Sequence, residues 1–159
     1  MMSRLYPADS SIFFNSFIED GINIYVDRIK HYIKFEIIYI KDLKKLKGMS
    51  ETQFKKAEGS EILNKINHGD YLILLDEKGK ELSSLAFSSF IEKKIQSGIK
   101  RLVFAVGGAY GFSDEVYSHS NELISLSKMT FSHQIIRVIF LEQLYRAFSI
   151  IKGEPYHHE

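Results

Sequence analysis

The sequence predicts an α/β fold in which a parallel sheet is covered by helices on both faces. Short uninterrupted apolar runs, typical of strands buried on both faces, occur at 71–75 (YLILL) and 102–106 (LVFAV). Segments of about ten or more residues with helical periodicity alternate with these runs, as in proteins built from β-α-β units. The chain of 159 residues has the length of one ordinary domain, so we expect a single domain over 1–159.

The first half of the chain is predicted to contain two helices with a strand between them. Residues 12–32 follow a Ser/Asp cluster suited to an N-cap and form an amphipathic helix, which Gly21 weakens. FEIIYI at 35–40 is β-branched and aromatic, as strands are. SETQ at 50–53 is a capping box that opens a second helix reaching about Ile66. The predicted inward face of the first helix consists of Phe14, Phe17, Ile18, Tyr25, Ile29 and Tyr32.

The second half is predicted to continue this alternation. DEKGKE, directly after YLILL, has the composition of a turn, and a third helix follows near 84–97. LVFAV leads into the glycine-rich segment GGAYG and then a short helix from about Ser113 to Asn121. LISLS at 123–127 is a further strand, and the longest helix covers 133–151. The residues of the third helix predicted to point inward are Phe87, Phe90, Ile91 and Ile95.

The last predicted helix has almost no polar face. A helix that is apolar nearly all round needs cover on every side. We therefore expect a homodimer in which a second copy covers this helix, and the alternative is deep burial within one chain. Its apolar residues are Ile135, Ile136, Val138, Ile139, Phe140, Leu141, Leu144, Phe148, Ile150 and Ile151.

Composition restricts the classes of function. The formal charge is +1, from 21 basic and 20 acidic residues, so nucleic-acid binding would depend on local clusters of charge. The chain contains no cysteine, which excludes disulfides and thiolate nucleophiles. It has no apolar stretch of about 18 residues and no signal-peptide core near its N-terminus, so we expect a cytoplasmic protein.

AVGGAYGFSDE, at 105–115, is a candidate binding loop. Glycines between a strand and a helix let backbone amides approach a ligand closely. The spacing is G-G-x-x-G instead of the dinucleotide pattern G-x-G-x-x-G, and Asp114 and Glu115 would repel a phosphate at the start of the next helix. These features favour a ligand without phosphate, and the alternative is a tight turn that requires positive φ angles.

Other polar groups carry less information. The adjacent carboxylate pairs diverge and the six histidines lack metal-ligand spacing, so we expect no metal site. Ser127, Ser132 and His133 lack a G-x-S-x-G elbow, which argues against a hydrolase. Glu142 and Arg146 are four residues apart in the favourable acid-before-base order, and they form either a structural ion pair or part of a cleft.

Several longer motifs resemble those of a known family. They are LLDEKGKELSS, VFAVGGAYGF and, most specifically, SKMTF-x-H, R-V, EQ-x-YRA and a terminal P-Y-H at consistent spacing after Leu126. From about residue 12 onward, the sequence resembles the bacterial SPOUT-class methyltransferases that modify N3 of a pseudouridine in large-subunit ribosomal RNA. The N-terminus departs from the family, whose members begin with an apolar strand ending in Val-Gly-Lys. Here Ser3, Arg4 and Pro7 break the strand pattern, which puts one edge of the sheet in doubt.

The resemblance implies a deep trefoil knot at the C-terminal end of the sheet, a homodimer, and S-adenosylmethionine as methyl donor. It also implies that this cofactor lies in the knotted loops. S-adenosylmethionine has no phosphate, so the acidic helix start after Gly111 is no obstacle, and close backbone approach explains the glycines. The residues expected to bind it are Leu75, Gly107, Gly108, Leu126, Ser127, Lys128, Met129, Thr130 and Phe131.

The resemblance also suggests which residues act on the RNA. Methylation at N3 requires the loss of a proton and stabilisation of the resulting imide charge. We expect Arg146 to offset that charge and Tyr156 to shape or stack on the target base. His157 or Glu142 is expected to take or relay the proton. GEP at 153–155 ends the last helix and is expected to present the terminal Tyr-His on a short extended arm.

Contact with RNA is expected from local basic groups, namely the lysine loop at 41–47, Lys128, Arg137 and Lys152. The alternative for the loop is a solvated turn. Two alternative functions remain open at this point. A non-catalytic ribosome-binding or cofactor-binding relative would explain the altered N-terminus. A different α/β nucleotide-binding enzyme is disfavoured by the glycine spacing and by Asp114.

Overall fold

The computed structural model describes residues 2–3, 12–40, 49–108 and 110–156, and of residues 2, 3 and 12–16 it describes the backbone alone. The predicted lysine loop at 41–47 and His157 lie outside the described residues. The elements are β1 Met2–Ser3, α1 Ile12–Lys30, β2 Ile37–Ile38, α2 Glu51–Leu63, β3 Tyr71–Glu81, α3 Ser84–Gln96, β4 Leu102–Val106, α4 Asp114–His119, β5 Glu122–Ser125 and α5 Ile135–Ile151.

The strands form one sheet in the order β2-β1-β4-β3-β5, and each adjacent pair is parallel. β3 lies between β4 and β5, with Leu75 opposite Val106 on one side and Ile124 on the other. The predicted α/β class and parallel sheet are therefore confirmed. Because neighbouring strands are parallel, their carboxyl ends meet at one edge of the sheet.

Helices cover both faces of this sheet. α1, α3 and α5 pack against one face, and α2 and α4 pack against the other. Along β3, Ile73 and Leu75 contact the first group of helices, while Leu72 and Leu74 contact the second. All four side chains are buried, which explains why this strand is an uninterrupted apolar run in the sequence.

Three strand predictions were wrong in their limits. DEKGKE is not a turn, because β3 continues through it to Glu81. Both Leu75 and Lys80 pair with Ile124, so residues 76–79 between them form a bulge. FEIIYI contributes only Ile37–Ile38 to the sheet, and LISLS is shifted to Glu122–Ser125. Turn-like composition is a local signal, whereas pairing along β5 is a long-range contact that composition does not report.

The altered N-terminus still supplies a strand. Met2 pairs with Ile37 of β2 and with Phe104 of β4, so β1 lies inside the sheet and not at its edge. The strand is short, since it consists of Met2 and Ser3. The sequence put one edge of the sheet in doubt, and the structure corrects this, because Met2 and Ser3 connect β2 to the rest of the sheet.

The helix predictions agree with the structure apart from their ends. α2 opens with the predicted capping box, in which the Ser50 side chain accepts from the Gln53 N–H and the Gln53 side chain accepts from the Ser50 N–H. It ends at Leu63, earlier than predicted. Gly21 was expected to weaken α1, but a β-carbon there would lie 3.3 Å from Cγ1 of Val138. The missing side chain thus lets α1 approach α5 closely.

Two residues predicted to point inward are exposed instead. Phe17 on α1 is 67% exposed and Ile95 on α3 is 46% exposed. On α1, Ile22 is buried although the prediction omitted it. The inward face of α1 is set by its contact with α5, and apolar content alone did not identify it.

α5 is covered in part by its own chain. It packs against α1 and α3, and each of its residues from Ile135 to Ile151 is buried or half-buried. Burial within one chain, the alternative to a dimer, therefore accounts for part of its apolar surface. Despite this apolar character, neither α5 nor another helix in the described ranges has the length and hydropathy needed to cross a membrane.

Gly79, within the bulge of β3, provides a test of the sheet. A β-carbon on Gly79 would lie 2.5 Å from the backbone nitrogen and carbonyl carbon of Ile124, well inside van der Waals contact. We expect Gly79→Ala to lower the free energy of unfolding by about 2 kcal/mol or more, because β3 and β5 must separate to admit the methyl group. Urea denaturation measures this loss.

Gly98→Ala is the matched control for Gly79→Ala. Gly98 has a φ of +75° but open space around its Cα, so only the conformational cost of about 1 kcal/mol applies there. Equal losses in the two variants would contradict the close approach of Gly79 to β5.

Candidate functional site

A cleft of about 690 Å³ lies at the bulge of β3 and the carboxyl ends of β4 and β5. Most of its described lining residues lie in three parts of the chain, at 75–78, at 106–108 with 110–112, and at 125–133. This position is common in α/β proteins, where ligands bind beyond the carboxyl ends of parallel strands. The cleft brings together every residue predicted to bind the cofactor: Leu75, Gly107, Gly108, Leu126, Ser127, Lys128, Met129, Thr130 and Phe131.

The glycine segment forms a compact turn on one side of the cleft. The Gly111 N–H donates to the Gly108 carbonyl at 3.0 Å, and Gly111 has a φ of +71°. A β-carbon on Gly107 would lie 3.2 Å from the ring of Phe112, so a side chain there would press on a buried residue. The tight turn with a positive φ is therefore confirmed, and the same turn exposes backbone to the cleft.

The bulge of β3 forms a second wall of the cleft, and Asp76 fixes its shape. One carboxylate oxygen of Asp76 accepts from the Lys78 N–H at 2.9 Å, and the other accepts from the Tyr117 hydroxyl at 2.7 Å. Burial, and then the hydrogen bond to Asp76, raise the pKa of Tyr117 well above its usual range. The hydroxyl therefore stays protonated and keeps the bulge attached to α4.

The segment between β5 and α5 closes the cleft. The Ser127 hydroxyl accepts from the Met129 N–H at 2.9 Å, and the Ser127 carbonyl accepts from the Ser125 hydroxyl at 3.0 Å. Ser127 thus shapes a turn, which agrees with the argument against a nucleophilic serine. Met129 and Phe131 expose apolar side chains at the rim, and Lys128 lies 3.8 Å from Glu81. Exposed apolar groups beside a cleft are typical of a ligand contact.

A separate cluster of polar residues lies on α5. The Arg146 Nε donates to the Glu142 carboxylate at 3.0 Å, and a second guanidinium N–H donates to the same oxygen at 2.5 Å. The other carboxylate oxygen accepts from the Gln143 amide at 2.7 Å. Both residues of the ion pair are largely buried, and the hydrogen bonds to Glu142 raise the pKa of Arg146. Of the two predicted roles of Glu142 and Arg146, the structure shows the ion pair.

Tyr156 packs against this cluster. Its hydroxyl donates to the Glu142 carboxylate at 3.4 Å, and its ring lies 4.9 Å from the Arg146 guanidinium carbon and 4.6 Å from the Tyr145 ring. Burial and a hydrogen bond with Tyr25 raise the pKa of Tyr156 to about 12. The terminal segment therefore turns back along the helices, and the predicted extended arm was wrong up to this residue.

The turn at the end of α5 explains how Tyr156 returns to the helix. Gly153 has a φ of +67°, and the Glu154 N–H donates to the Ser149 carbonyl at 2.9 Å, as at many helix ends. The Tyr32 hydroxyl donates to the Glu154 carboxylate. Tyr25 on α1 and Tyr32, just after α1, therefore hold the terminal segment at two points.

The two sites are separate within one chain. Glu142, Arg146 and Tyr156 form one cluster, but none of them lines the cleft.

Arg137 is only 2% exposed, so its predicted contact with RNA was wrong, because a charge on the inward face of α5 is covered by packing. Lys128 and Lys152 are exposed, and their contact with RNA stays a prediction.

Sequence reasoning missed several residues of these sites. Asp76 and Tyr117 are far apart in sequence, and the short apolar runs that identify strands do not report their contact. Tyr25 was assigned only to the inward face of α1. Its hydroxyl group was the available signal for a further contact, because a partly buried tyrosine hydroxyl usually hydrogen-bonds with a polar group. In the described part of the chain, no group of three His, Asp or Glu side chains could hold a metal ion.

Comparison with known proteins identifies the family. The model for predicted SPOUT methyltransferases matches residues 13–157. A ribosomal RNA large subunit methyltransferase H from Christiangramia forsetii is 56% identical over 141 residues, which is 89% of this chain and 90% of that relative. The proteins of the same name from Parabacteroides distasonis and Flavobacterium psychrophilum are 58% and 55% identical over 88% and 91% of this chain, and over 89% and 92% of their own lengths. This chain therefore belongs to the SPOUT methyltransferase family.

Proposed function

We propose that this protein transfers a methyl group from S-adenosylmethionine to N3 of a pseudouridine in large-subunit ribosomal RNA, in the cytoplasm and as a single domain. SPOUT methyltransferases use S-adenosylmethionine, and the relatives at 55–58% identity are named as methyltransferases of this RNA. The observation that carries the proposal is that all nine positions which the resemblance assigns to the cofactor line one cleft.

The residues of the cleft fit S-adenosylmethionine. The cleft volume of about 690 Å³ lies within the usual range for small-molecule sites. Asp114, at the start of α4, and Asp76 line it, and these carboxylates suit a cationic ligand better than a phosphate. The turn at 107–111 and the segment 126–131 would hold the cofactor, which supplies an electrophilic methyl group. Exclusion of water and alignment of the methyl group with the target nitrogen are the contributions of these segments.

We expect the hydrogen bond between Asp76 and Tyr117 to affect the affinity for the cofactor. We expect Tyr117→Phe to weaken S-adenosylhomocysteine binding about fivefold, because the bulge at 76–79 is no longer held to α4. This factor corresponds to the loss of one hydrogen bond worth about 1 kcal/mol. Isothermal titration calorimetry measures this affinity. Tyr71→Phe is the control, since it also removes a buried hydroxyl contact but lies at the opposite end of β3. Equal effects of both variants would refute a local role for Tyr117.

The cluster on α5 fits the chemistry at the target base. N3 of pseudouridine must lose a proton, and the negative charge that remains is spread over an imide. Arg146 carries a positive charge and is held in place by Glu142, so we assign to it the stabilisation of the negative charge on the imide. Tyr156, whose raised pKa keeps its hydroxyl protonated, presents an aromatic face and a hydrogen-bond donor to the base.

The contacts of Glu142 favour His157 as the group that takes the proton. Glu142 already accepts hydrogen bonds from Arg146, Gln143 and Tyr156, so its carboxylate is better suited to orient Arg146 than to act as a base. His157 follows Tyr156 directly in the sequence, and histidine is the side chain that most often acts as a general base. We therefore assign proton transfer to His157.

His157→Ala should lower turnover about 100-fold or more, the usual contribution of a general base, while affinity for S-adenosylhomocysteine changes by less than about threefold. The assay is transfer of labelled methyl groups to ribosomes that carry the pseudouridine but lack the methyl group. His158→Ala is the control next in sequence and should retain wild-type turnover. Unchanged turnover of His157→Ala would remove the terminal segment from the mechanism.

A homodimer with the family's C-terminal trefoil knot would bring the two sites together. Within one chain, Glu142, Arg146 and Tyr156 do not line the cleft. Met129 and Phe131 expose apolar side chains at the rim of the cleft, and the terminal segment of a second copy would cover them. We infer that the terminal segment of one subunit completes the cleft of its partner.

This arrangement predicts complementation between two inactive variants. Gly107→Trp should block the cleft, and His157→Ala should disable proton transfer, so each homodimer should be inactive. A mixture that forms heterodimers contains one site with both functional parts, and we expect it to regain about one quarter of wild-type activity under random pairing. Labelled methyl transfer measures the recovery. Mixed dimers without activity would show that each site is built from a single chain.

The alternative function is a non-catalytic relative that binds the ribosome or the cofactor. The altered N-terminus favours it, since β1 is reduced to Met2 and Ser3. Methyl transfer to the unmethylated ribosome distinguishes the two functions, because only the enzyme incorporates label. Assays of the free large subunit and of the assembled ribosome, run in parallel, identify the substrate.

A further inference from the structure

A surface beside the polar cluster combines tyrosine rings with arginine side chains. We call it the tyrosine–arginine surface, and it consists of Tyr25 and Arg28 on α1, Tyr145 and Arg146 on α5, and Tyr156. The Tyr25 and Tyr145 ring centroids are 6.1 Å apart, and those of Tyr145 and Tyr156 are 4.6 Å apart. The three rings are half-buried, so each one keeps part of its surface accessible to solvent.

Arg28 covers two of these rings. Its guanidinium carbon lies 5.8 Å from the Tyr25 centroid and 5.3 Å from the Tyr145 centroid, within the range of cation–π contact. The residue is exposed, and no carboxylate in the described part of the chain forms an ion pair with it. Arg28 therefore differs from Arg146, whose guanidinium is held by Glu142.

We propose that the tyrosine–arginine surface binds the single-stranded RNA next to the target nucleotide, with Arg28 stacking on a base or contacting a phosphate. The inference rests on the proposed function, and it adds an RNA-contacting surface that the proposed catalytic residues do not supply. Aromatic rings and arginine planes are the groups on which unpaired bases stack. Arg28 is exposed, and guanidinium N–H groups bind phosphate oxygens.

The local charge favours an anionic partner. On α1, the Lys30 ammonium lies 3.8 Å from the Asp27 carboxylate, and on α5 the Arg146 guanidinium is paired with Glu142. The unbalanced charge of the surface is therefore that of Arg28. A chain of net charge +1 does not attract RNA by its overall field, so a partner must be recognised by such local contacts.

The surface also adjoins the residues assigned to the target base. Tyr156 contacts Tyr145 by its ring and hydrogen-bonds with Tyr25. A nucleotide on Tyr25 and Arg28 would thus lie beside one held at Tyr156 and Arg146. This continuity suits successive nucleotides of one strand, because stacking platforms for single strands place neighbouring bases on neighbouring rings.

The test compares Arg28→Ala with Lys30→Ala in methyl transfer to unmethylated ribosomes. Lys30 is an exposed cation on the same helix that lies outside the surface and has its own partner, Asp27. We expect Arg28→Ala to raise KM for ribosomes about tenfold and to reduce the slope of log KM against log salt concentration by about 1. Its affinity for S-adenosylhomocysteine should stay within about twofold of wild type, and Lys30→Ala should resemble wild type.

Arg28→Lys separates stacking from charge. It keeps the positive charge but loses the planar group, so we expect the salt dependence of wild type with a KM between those of wild type and Arg28→Ala. A KM for Arg28→Ala equal to that of Lys30→Ala would overturn the proposal. If Arg28→Ala instead changes the molar mass measured by light scattering while KM stays constant, the surface binds a second copy of the chain and the proposal is wrong. A wild-type protein without methyl-transfer activity would refute the proposed function itself. That outcome differs from an unchanged KM of Arg28→Ala and from a change in its molar mass, which concern the tyrosine–arginine surface alone.

Discussion

The pairing of β3 with β4 on one side and β5 on the other determines where the functional segments meet. Leu75 lies opposite both Val106 and Ile124, so β4 and β5 reach their carboxyl ends beside the bulge of β3. The segments that follow them are therefore side by side and enclose the cleft. The bulge of β3 depends on the same pairing, because Gly79 lies against the backbone of Ile124 where a side chain could not fit. A slip of one residue in this register would reverse the faces of β3 and dismantle the cleft.

The sequence predicted those parts of the fold that local patterns determine. YLILL and LVFAV were identified as strands because burial on both faces leaves an uninterrupted apolar run. The capping box at Ser50 was identified because its two hydrogen bonds join residues three apart. The extension of β3 through DEKGKE was missed, since it depends on β5, which lies far along the chain. The burial of Arg137 was missed for the same reason, because neighbouring helices decide which side of α5 is covered.

The candidate sites show the same division between local and long-range information. The cofactor positions were named from motifs, and all of them line one cleft. The spacing of Glu142 and Arg146 predicted their ion pair, because residues four apart are neighbours on a helix. The contacts that orient these groups join distant segments, as Tyr117 does with Asp76 and Tyr32 with Glu154. No periodicity in one sequence encodes such pairs, so they became visible only in the folded chain.

The geometry of α5 gives a physical reason for two subunits to cooperate. The helix starts at the cleft, where Ile136 is one of the lining residues, and carries Arg146 ten residues further along. At 1.5 Å per residue these positions are about 15 Å apart along a rigid helix, whereas in-line methyl transfer needs reacting atoms within about 3.5 Å. Because α5 is packed between α1 and α3, bending it to shorten that distance would disrupt the core. The proposed homodimer accounts for this separation, because in it a base held beside Arg146 would receive the methyl group from the cleft of the partner subunit.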